Sequence, residues 1–299
     1  MEFLGNEKAK NLIAGMVKTA RFPHAFLICG EDGVGKKTFA RIMAQSILCE
    51  SETAPCGVCD CCKKIEFGNH PDVEEITEYK KEASFKVDYV REIKSRAYLS
   101  PNESKKRVFL IANAEAMTVQ AQNALLKVLE EPPETAVFIL TTQNREKLLQ
   151  TVLSRVVTIP IAAVDLNLAK EYVKKIHPDA EERDLELFPG NIGKTLNLIE
   201  NSATKTTFEK AREILDSLNE ANQYKTLALL SALNFHNALG VLNALVQLFS
   251  IDKSTPKDIL NPRFTAVISA ISSLEKSANL TITMNNLTVN LYDKKGENI

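Results

Sequence analysis

Residues 30–40 read GEDGVGKKTFA, most of a phosphate-binding loop of the pattern GxxxxGK[ST]. Gly30, Gly33 and Gly35 would let backbone N–H groups close on phosphate oxygens, and Lys36 would bridge the β and γ phosphates. The next position should carry a hydroxyl for Mg²⁺ and carries Lys37 instead. Thr38 is no substitute, because one step along a helix turns a side chain by roughly 100°. A cation at the metal position would also oppose a divalent ion. Hydrolysis further requires a carboxylate at the end of a neighbouring strand and an adjacent acid to polarise water. The run FLIANAEAM (109–117) ends there in Asn113 and Ala114, which supply neither, and Glu115 lies one position late. Three requirements of hydrolysis are therefore missing together from a loop that otherwise keeps its phosphate-binding residues.

A second group of residues has metal chemistry. Cys49, Cys56, Cys59 and Cys62 are spaced C-x6-C-x2-C-x2-C within LCESETAPCGVCDCC. Paired CxxC turns bring thiolates together on one tetrahedral ion, and four thiolates suit Zn²⁺ in a closed structural site with no open position for catalysis. A redox CxxC pair or unliganded buried cysteines are the competing readings. Cys61 falls between the ligand positions as a spare thiol, and Cys29 belongs to a buried strand.

The elements that position these residues alternate between short apolar runs and amphipathic stretches, the pattern of βαβ units around a parallel sheet. AFLICG (25–30), RVFLIANA (107–114), TAVFILTT (135–142) and VVTIPI (156–161) read as strands. Between them, TFARIMAQSIL (38–48), TVQAQNALLKVLEE (118–131) and residues 145–153 read as helices. Thr118 is a candidate N-cap, and Pro132-Pro133 prevents continuation. After Pro160 helical patterns dominate, so a boundary belongs near 162–166. Residues 165–200 suggest a small helical bundle, 227–250 the most apolar helix, and Leu280, Met284, Leu287 and Leu291 one face of a last helix.

The chain has 299 residues, enough for two or three domains. Its 37 basic and 38 acidic residues leave a net charge of −1, so no global field draws it to nucleic acid or a membrane. Any DNA contact would be local, with Lys105-Lys106-Arg107 and Tyr79-Lys80-Lys81 as candidate patches. A standalone zinc-bearing nucleic-acid binder is disfavoured by this neutrality, by the lack of tryptophan and by few aromatics to stack bases. No stretch approaches about 18 uninterrupted apolar residues and the N-terminus shows no leader pattern, so a soluble cytoplasmic protein is expected.

Several stretches together resemble the delta-prime family of bacterial DNA polymerase III clamp-loader subunits, AAA+ relatives of the gamma/tau motor subunits. They are FLGNEKAKNLI and RFPHAFLICG before the loop, the cysteine module ending in HPDVEEI, NALLKVLEEPPETAVFILTT, and LLQTVLSRV. The resemblance covers about residues 1–200. It implies an α/β RecA-like AAA+ domain with a parallel sheet over 1–163, carrying an inserted zinc module (49–62). A helical lid domain (164–206) and an all-α C-terminal oligomerisation, or collar, domain (207–299) would follow. It also implies that Arg155, with Ser154, is an arginine finger acting in trans on ATP held by a neighbouring motor subunit; here the motif reads Ser154-Arg155-Val156 and lacks the usual Cys. Motor subunits carry a lid arginine where this chain has Gly193, a fourth loss.

The expectation is a non-catalytic subunit with a degenerate loop that does not bind ATP productively and with structural Zn²⁺. Its partners would be gamma/tau-like motor subunits, a delta-like subunit and, through the complex, the sliding clamp and primed DNA, with no membrane. The alternative is an active gamma/tau-like ATPase with atypical metal coordination, and the joint state of Lys37, Asn113, Ala114 and Gly193 discriminates the two.

Overall fold

Five strands, all parallel, form one sheet in a computed structural model that describes residues 2–76 and 87–292. The Tyr79-Lys80-Lys81 patch lies outside the described residues. The chain divides into two units, one running to Ile176 and including Pro189–Lys194, the other comprising His177–Phe188 and the chain from Thr195.

In chain order the first unit contains α1 (Glu7–Thr19), β1 (Ala25–Cys29), α2 (Lys36–Leu48), α3 (Asp60–Glu66), β2 (Val73–Ile76), α4 (Val87–Ala97) and β3 (Arg107–Ile111). It continues through α5 (Val119–Glu130), β4 (Ala136–Thr142), α6 (Gln150–Leu153), β5 (Val157–Pro160) and α7 (Leu166–Ile176). The sheet order is β2-β3-β4-β1-β5. Every residue of the central strand β4 is buried, as the apolar run Ala136–Leu140 requires of a parallel strand covered on both faces. Alternation decides which face each side chain joins. Leu27, Phe109, Ile111, Phe138 and Leu140 pack with residues of α4 and α5, whereas Phe26, Ile28, Val108, Leu110, Val137 and Ile139 pack with α1, α2 and α3. Phe109 and Phe138 stack across neighbouring strands with centroids 5.2 Å apart.

Some expected boundaries move for identifiable reasons. β3 stops at Ile111, because Asn113 turns left-handed (φ 49°) into a single 3₁₀ turn at Ala114–Ala116. The helix expected over 145–153 is a 3₁₀ turn at Arg145–Lys147 followed by α6, interrupted where Leu149 is extended. Thr118 does cap α5, its hydroxyl accepting from the Ala121 N–H at 3.1 Å.

The second unit is helical: α8 (Glu182–Leu185), most of α9 (Ile192–Glu200), α10 (Ser202–Asn219), α11 (Gln223–Ser231), α12 (Phe235–Ile251), α13 (Lys257–Glu275) and α14 (Leu280–Tyr292). The long helix expected over 227–250 is two helices, because Asn234 and Asn237 form a reciprocal capping box that opens α12. Met284, Leu287 and Leu291 of α14 join Leu242, Leu245 and Ile271 in one core. Thr283 and Thr288 fit that β-branched helix by donating to the carbonyls of Asn279 (2.8 Å) and Met284 (2.9 Å). Buried Ser217 and Thr226 hydroxyls meet at 2.7 Å, and Thr226 meets the Tyr292 hydroxyl at 2.7 Å, so three helices share a closed polar network. Among the described residues no helix is long and apolar enough to cross a membrane.

One buried charge organises the edge of the sheet. Asp72, fully buried before β2, accepts from the backbone N–H groups of Asn102 (2.6 Å), Glu103 (2.8 Å) and Ser104 (2.8 Å). Burial pushes its carboxyl upward, but these hydrogen bonds prevail and hold it below the ordinary aspartate range. A depressed folded-state value gives stability that is complete above the unfolded value, about 3.9, and is lost as pH falls through the folded one. Asp72→Ala is expected to cost about 1–3 kcal/mol through the stranded N–H donors. Thermal melts at pH 7 should show that loss, and wild type should lose more stability than the variant as the pH falls below about 4.

Candidate functional site

The glycine-rich loop leaves β1 at Cys29 and enters α2 at Lys36, so the strand-loop-helix context of a phosphate site is present. Its lysine, however, is engaged by the loop itself. Lys36 Nζ donates to the carbonyls of Gly30 (2.8 Å) and Glu31 (2.7 Å), and the residue is 7% exposed. Burial lowers its pKa, against the opposing pull of the Asp32 and Glu115 carboxylates.

The segment Gly190–Lys194 closes over the loop. The Gly193 N–H donates to Gly33 O at 3.0 Å, and Asn191 Nδ2 donates to Asp32 O at 2.7 Å. Asn191 Oδ1 accepts from the Lys194 N–H at 3.1 Å, and Lys194 Nζ lies 3.6 Å from Glu31. The approach is so close that a Cβ on Gly193 would stand 2.5 Å from Gly33 O, and a Cβ on Gly33 2.3 Å from Asn191 Oδ1. Gly33 is also left-handed (φ 82°), so both glycines are required where they stand.

Lys37, in the position of the expected hydroxyl, reaches toward the sheet edge. Its Nζ lies 3.5 Å from Glu75 on β2, which also receives the Arg41 guanidinium, with Arg41 Nη2 at 2.7 Å. Burial raises the Glu75 pKa, but Arg41 and then Lys37 outweigh it and hold the carboxyl low. Because β3 stops at Ile111, the first positions beyond it are Ala112 and Asn113, one earlier than the Asn113-Ala114 pair expected; none of these three is acidic. The Glu115 carboxylate is close enough to favour the charged form of the loop's lysine; its Oε1 accepts from the Gln143 N–H at 3.0 Å, and its buried Oε2 has no hydrogen-bond partner among the described residues.

Ser154 and Arg155 follow α6. Arg155 Nη1 donates to Thr151 O (2.9 Å) and Ser154 Oγ (3.2 Å), and Nη2 pairs with Glu130 Oε1 at 2.8 Å. The arginine side chain is 34% exposed, so it is held at the surface by residues of its own chain.

The four cysteines come together. Cys49, Cys56, Cys59 and Cys62 place their sulfurs within 4.8 Å of one another, with Cys49 3.7 Å from Cys56 and 3.9 Å from Cys59. Zinc-to-sulfur bonds of about 2.3 Å would set the edges of a tetrahedron at about 3.8 Å, so the donor set fits a zinc-sized ion. The backbone N–H groups of Cys59 and Cys62 point at Cys56 Sγ and Cys59 Sγ, each at 3.4 Å, where they would orient metal-bound thiolates and share their charge. Donors from Val58 and Cys59 lower the Cys56 thiol to about 6, while burial pushes Cys62 up. Cys61 is outside the cluster, pushed up to about 11 by burial and by the neighbouring sulfurs. Cys29 is half-buried at the end of β1, its Sγ 3.9 Å from Ile159 O.

Comparison with known proteins places this arrangement. The family described as DNA polymerase III, delta subunit, matches residues 5–165, more than half of the chain. The chain belongs to that family. The matched span contains the sheet, the phosphate loop, the cysteine cluster and Ser154-Arg155. Among curated proteins, DNA polymerase III subunit tau of Escherichia coli K12 is 30% identical over 256 residues, covering 82% of this chain and 38% of that protein. DNA polymerase III subunit gamma/tau of Mycobacterium tuberculosis H37Rv is 38% identical over 156 residues, covering 52% of this chain and 27% of that one. The chain thus spans less than two-fifths of these relatives. The crystal structure of a DNA polymerase III gamma subunit-related protein from Thermotoga maritima shares the fold, with a TM-score of 0.59 at 20% identity over 96% of this chain and 99% of that one.

Sequence reasoning missed Asn191, Glu75 and Glu130 as partners of the site. For Asn191 a signal existed: a side-chain amide between Gly190 and Gly193 marks a segment built for close backbone approach. Gly193→Ala is expected to force the loop and its covering segment apart, costing about 1–3 kcal/mol as overpacking does and lowering the thermal midpoint. An unchanged midpoint would mean that this closure contributes nothing to the native state.

Proposed function

We propose that this chain is a non-catalytic, delta-prime-like subunit of the DNA polymerase III clamp loader, with an AAA+ domain over 1–163, a lid over 164–206 and an oligomerising collar over 207–299. It hydrolyses no ATP and donates Arg155, in the Ser154-Arg155 motif, to ATP on an adjoining gamma/tau-like subunit. A delta-like subunit completes the assembly, which loads the sliding clamp onto primed DNA in the cytoplasm.

The observation that carries this reading is a phosphate loop whose lysine is turned onto the loop's own carbonyls and whose neighbours supply neither hydroxyl nor acid. Gly30, Gly33, Gly35 and Lys36 keep the form of a nucleotide site, but Lys36 donates to the carbonyls of Gly30 and Glu31, and Gly33 O accepts from the Gly193 N–H. No acid follows β3 directly, and Lys37 is committed to Glu75. Arg155 is retained at the surface, where its charge can serve a neighbour's γ-phosphate as charge develops in the transition state. Relatives named gamma and tau favour an active motor instead, and the two readings differ in one measurement. The isolated chain should show no ATP turnover above background; steady turnover abolished by Lys36→Ala would establish the motor. In the reconstituted loader, Arg155→Ala should lower clamp- and DNA-stimulated turnover by at least about tenfold without preventing assembly, since arginine fingers contribute on the order of 10³–10⁵. Unchanged turnover would remove the trans role.

Cys49, Cys56, Cys59 and Cys62 would hold Zn²⁺, which supplies a structural crosslink and no open coordination position. Purified reduced protein is expected to contain about one zinc per chain. Chelation or Cys56→Ser should lower the thermal midpoint, and metal analysis near zero would rule the site out.

A further inference from the structure

The Arg155 guanidinium is held on two sides. From its own turn come Thr151 O and Ser154 Oγ, both on Nη1, and from the end of α5 comes Glu130, on Nη2. Resting on the proposed trans role of Arg155, we propose that Glu130 is the positioning residue that aims this arginine at the neighbouring subunit's phosphate.

An arginine side chain free to rotate must surrender most of its rotamer freedom when it docks on a phosphate. Glu130 removes part of that freedom beforehand. It stands at the last residue of α5, a helix whose Leu125, Val128 and Leu129 are anchored in the sheet core, so the backbone from which its carboxylate reaches is fixed. Glu130 is 47% and Arg155 34% exposed, and an ion pair this wet is screened and weak. The pair therefore aims the arginine without sequestering it, and a phosphate approaching from a partner can take the charge over. The contacts run from Nη1 and Nη2, and about a third of the side chain is exposed, so an incoming oxyanion has access while the guanidinium remains braced.

What positions the arginine is the acceptor atom at the end of a rigid helix, and a neutral amide oxygen can replace a carboxylate in that task. The test is clamp- and DNA-stimulated ATP turnover of the loader reconstituted from the full chain and its gamma/tau-like and delta-like partners. Glu130→Ala is expected to lower kcat by about fivefold or more while leaving KM for ATP nearly unchanged, the pattern of an interaction realised in the transition state after misaiming. Glu130→Gln should restore most of the rate. In an Arg155→Ala background, Glu130→Ala should have no further effect, because there is no arginine left to aim.

Equal rates for wild type and Glu130→Ala, with Arg155→Ala impaired, would overturn the positioning role while leaving the trans arginine intact. Faster turnover in both Glu130 variants would mean that the carboxylate sequesters the arginine, and would overturn the proposal in the other direction. An equal Glu130→Ala loss with and without Arg155 would mean a structural effect only, which overturns it as well. Arg155→Ala matching wild type would instead sink the trans reading, and the aiming role with it.

Discussion

The Gly33 carbonyl and the Gly193 N–H, 3.0 Å apart, set the condition that the rest of the loop obeys. A phosphate loop turns its N–H groups toward a ligand, while its carbonyls, which a phosphate cannot serve, need donors from the chain once water is excluded. Here the chain supplies them. Gly33 is bonded to Gly193, Asp32 O to Asn191, and the carbonyls of Gly30 and Glu31 to Lys36. Each net hydrogen bond is worth only about 1 kcal/mol, but stranding a buried charged amine costs several times as much, so Lys36 ties the loop most firmly. A phosphate seeking Lys36 would have to draw its ammonium off the Gly30 and Glu31 carbonyls.

The same economy governs the charges around the loop. In a hydrolytic site cations and acids are left open for phosphate and metal, at an electrostatic cost that the ligand offsets. In this chain Lys37 is drawn to Glu75, Glu75 also binds Arg41, and Arg96 on α4 pairs with Glu74 at 2.7 Å. The cationic position that would repel a metal thus has its own counterion on the neighbouring edge strand. Arg155 is treated differently: its carboxylate partner is half-exposed, its pairing is weak, and it remains available. Glu75 is mostly buried and Glu130 half-exposed, although Lys37 is itself more exposed than Arg155 and its contact the longer.

These contrasts also decide what could be read from the sequence. The central strands were legible because burial on both faces leaves an unbroken apolar run, as in Ala136–Leu140. β2, written VEEI, was not: it is an edge strand whose glutamates are paired with arginines of α2 and α4, so it has no strand-like hydropathy. The cysteine cluster was legible from spacing alone, since CxxC turns constrain sulfur positions locally. The closure of the loop was not, because Asn191 lies about 160 residues from Asp32 and no local pattern links them. The division of 227–250 turns on the Asn234-Asn237 box, a local signal overridden on paper by the apolar residues on either side. The pairing of Glu130 with Arg155 joins a helix end to a turn 25 residues away, and only the fold relates them.

The cysteine cluster has a structural logic that follows from where its members fall. Cys49 is the residue on which α2 ends, and Cys59 is the N-cap of α3, its sulfur accepting from the Cys62 N–H. Gln45, buried on α2, donates to Cys62 O at 2.8 Å, so the two helices are joined at that point without any ion. The segment between them, from Cys49 to Cys59, contains no helix or strand of its own, and Val58 at its turn is 72% exposed. A stretch of that kind cannot be ordered by burial, because it has too little apolar surface to offset the entropy of fixing its backbone. An ion held by four thiolates would supply the missing free energy in one place. α3 is secured through Ile65 and Gln45 in either case, and the thiolate site governs the loop that leads to it.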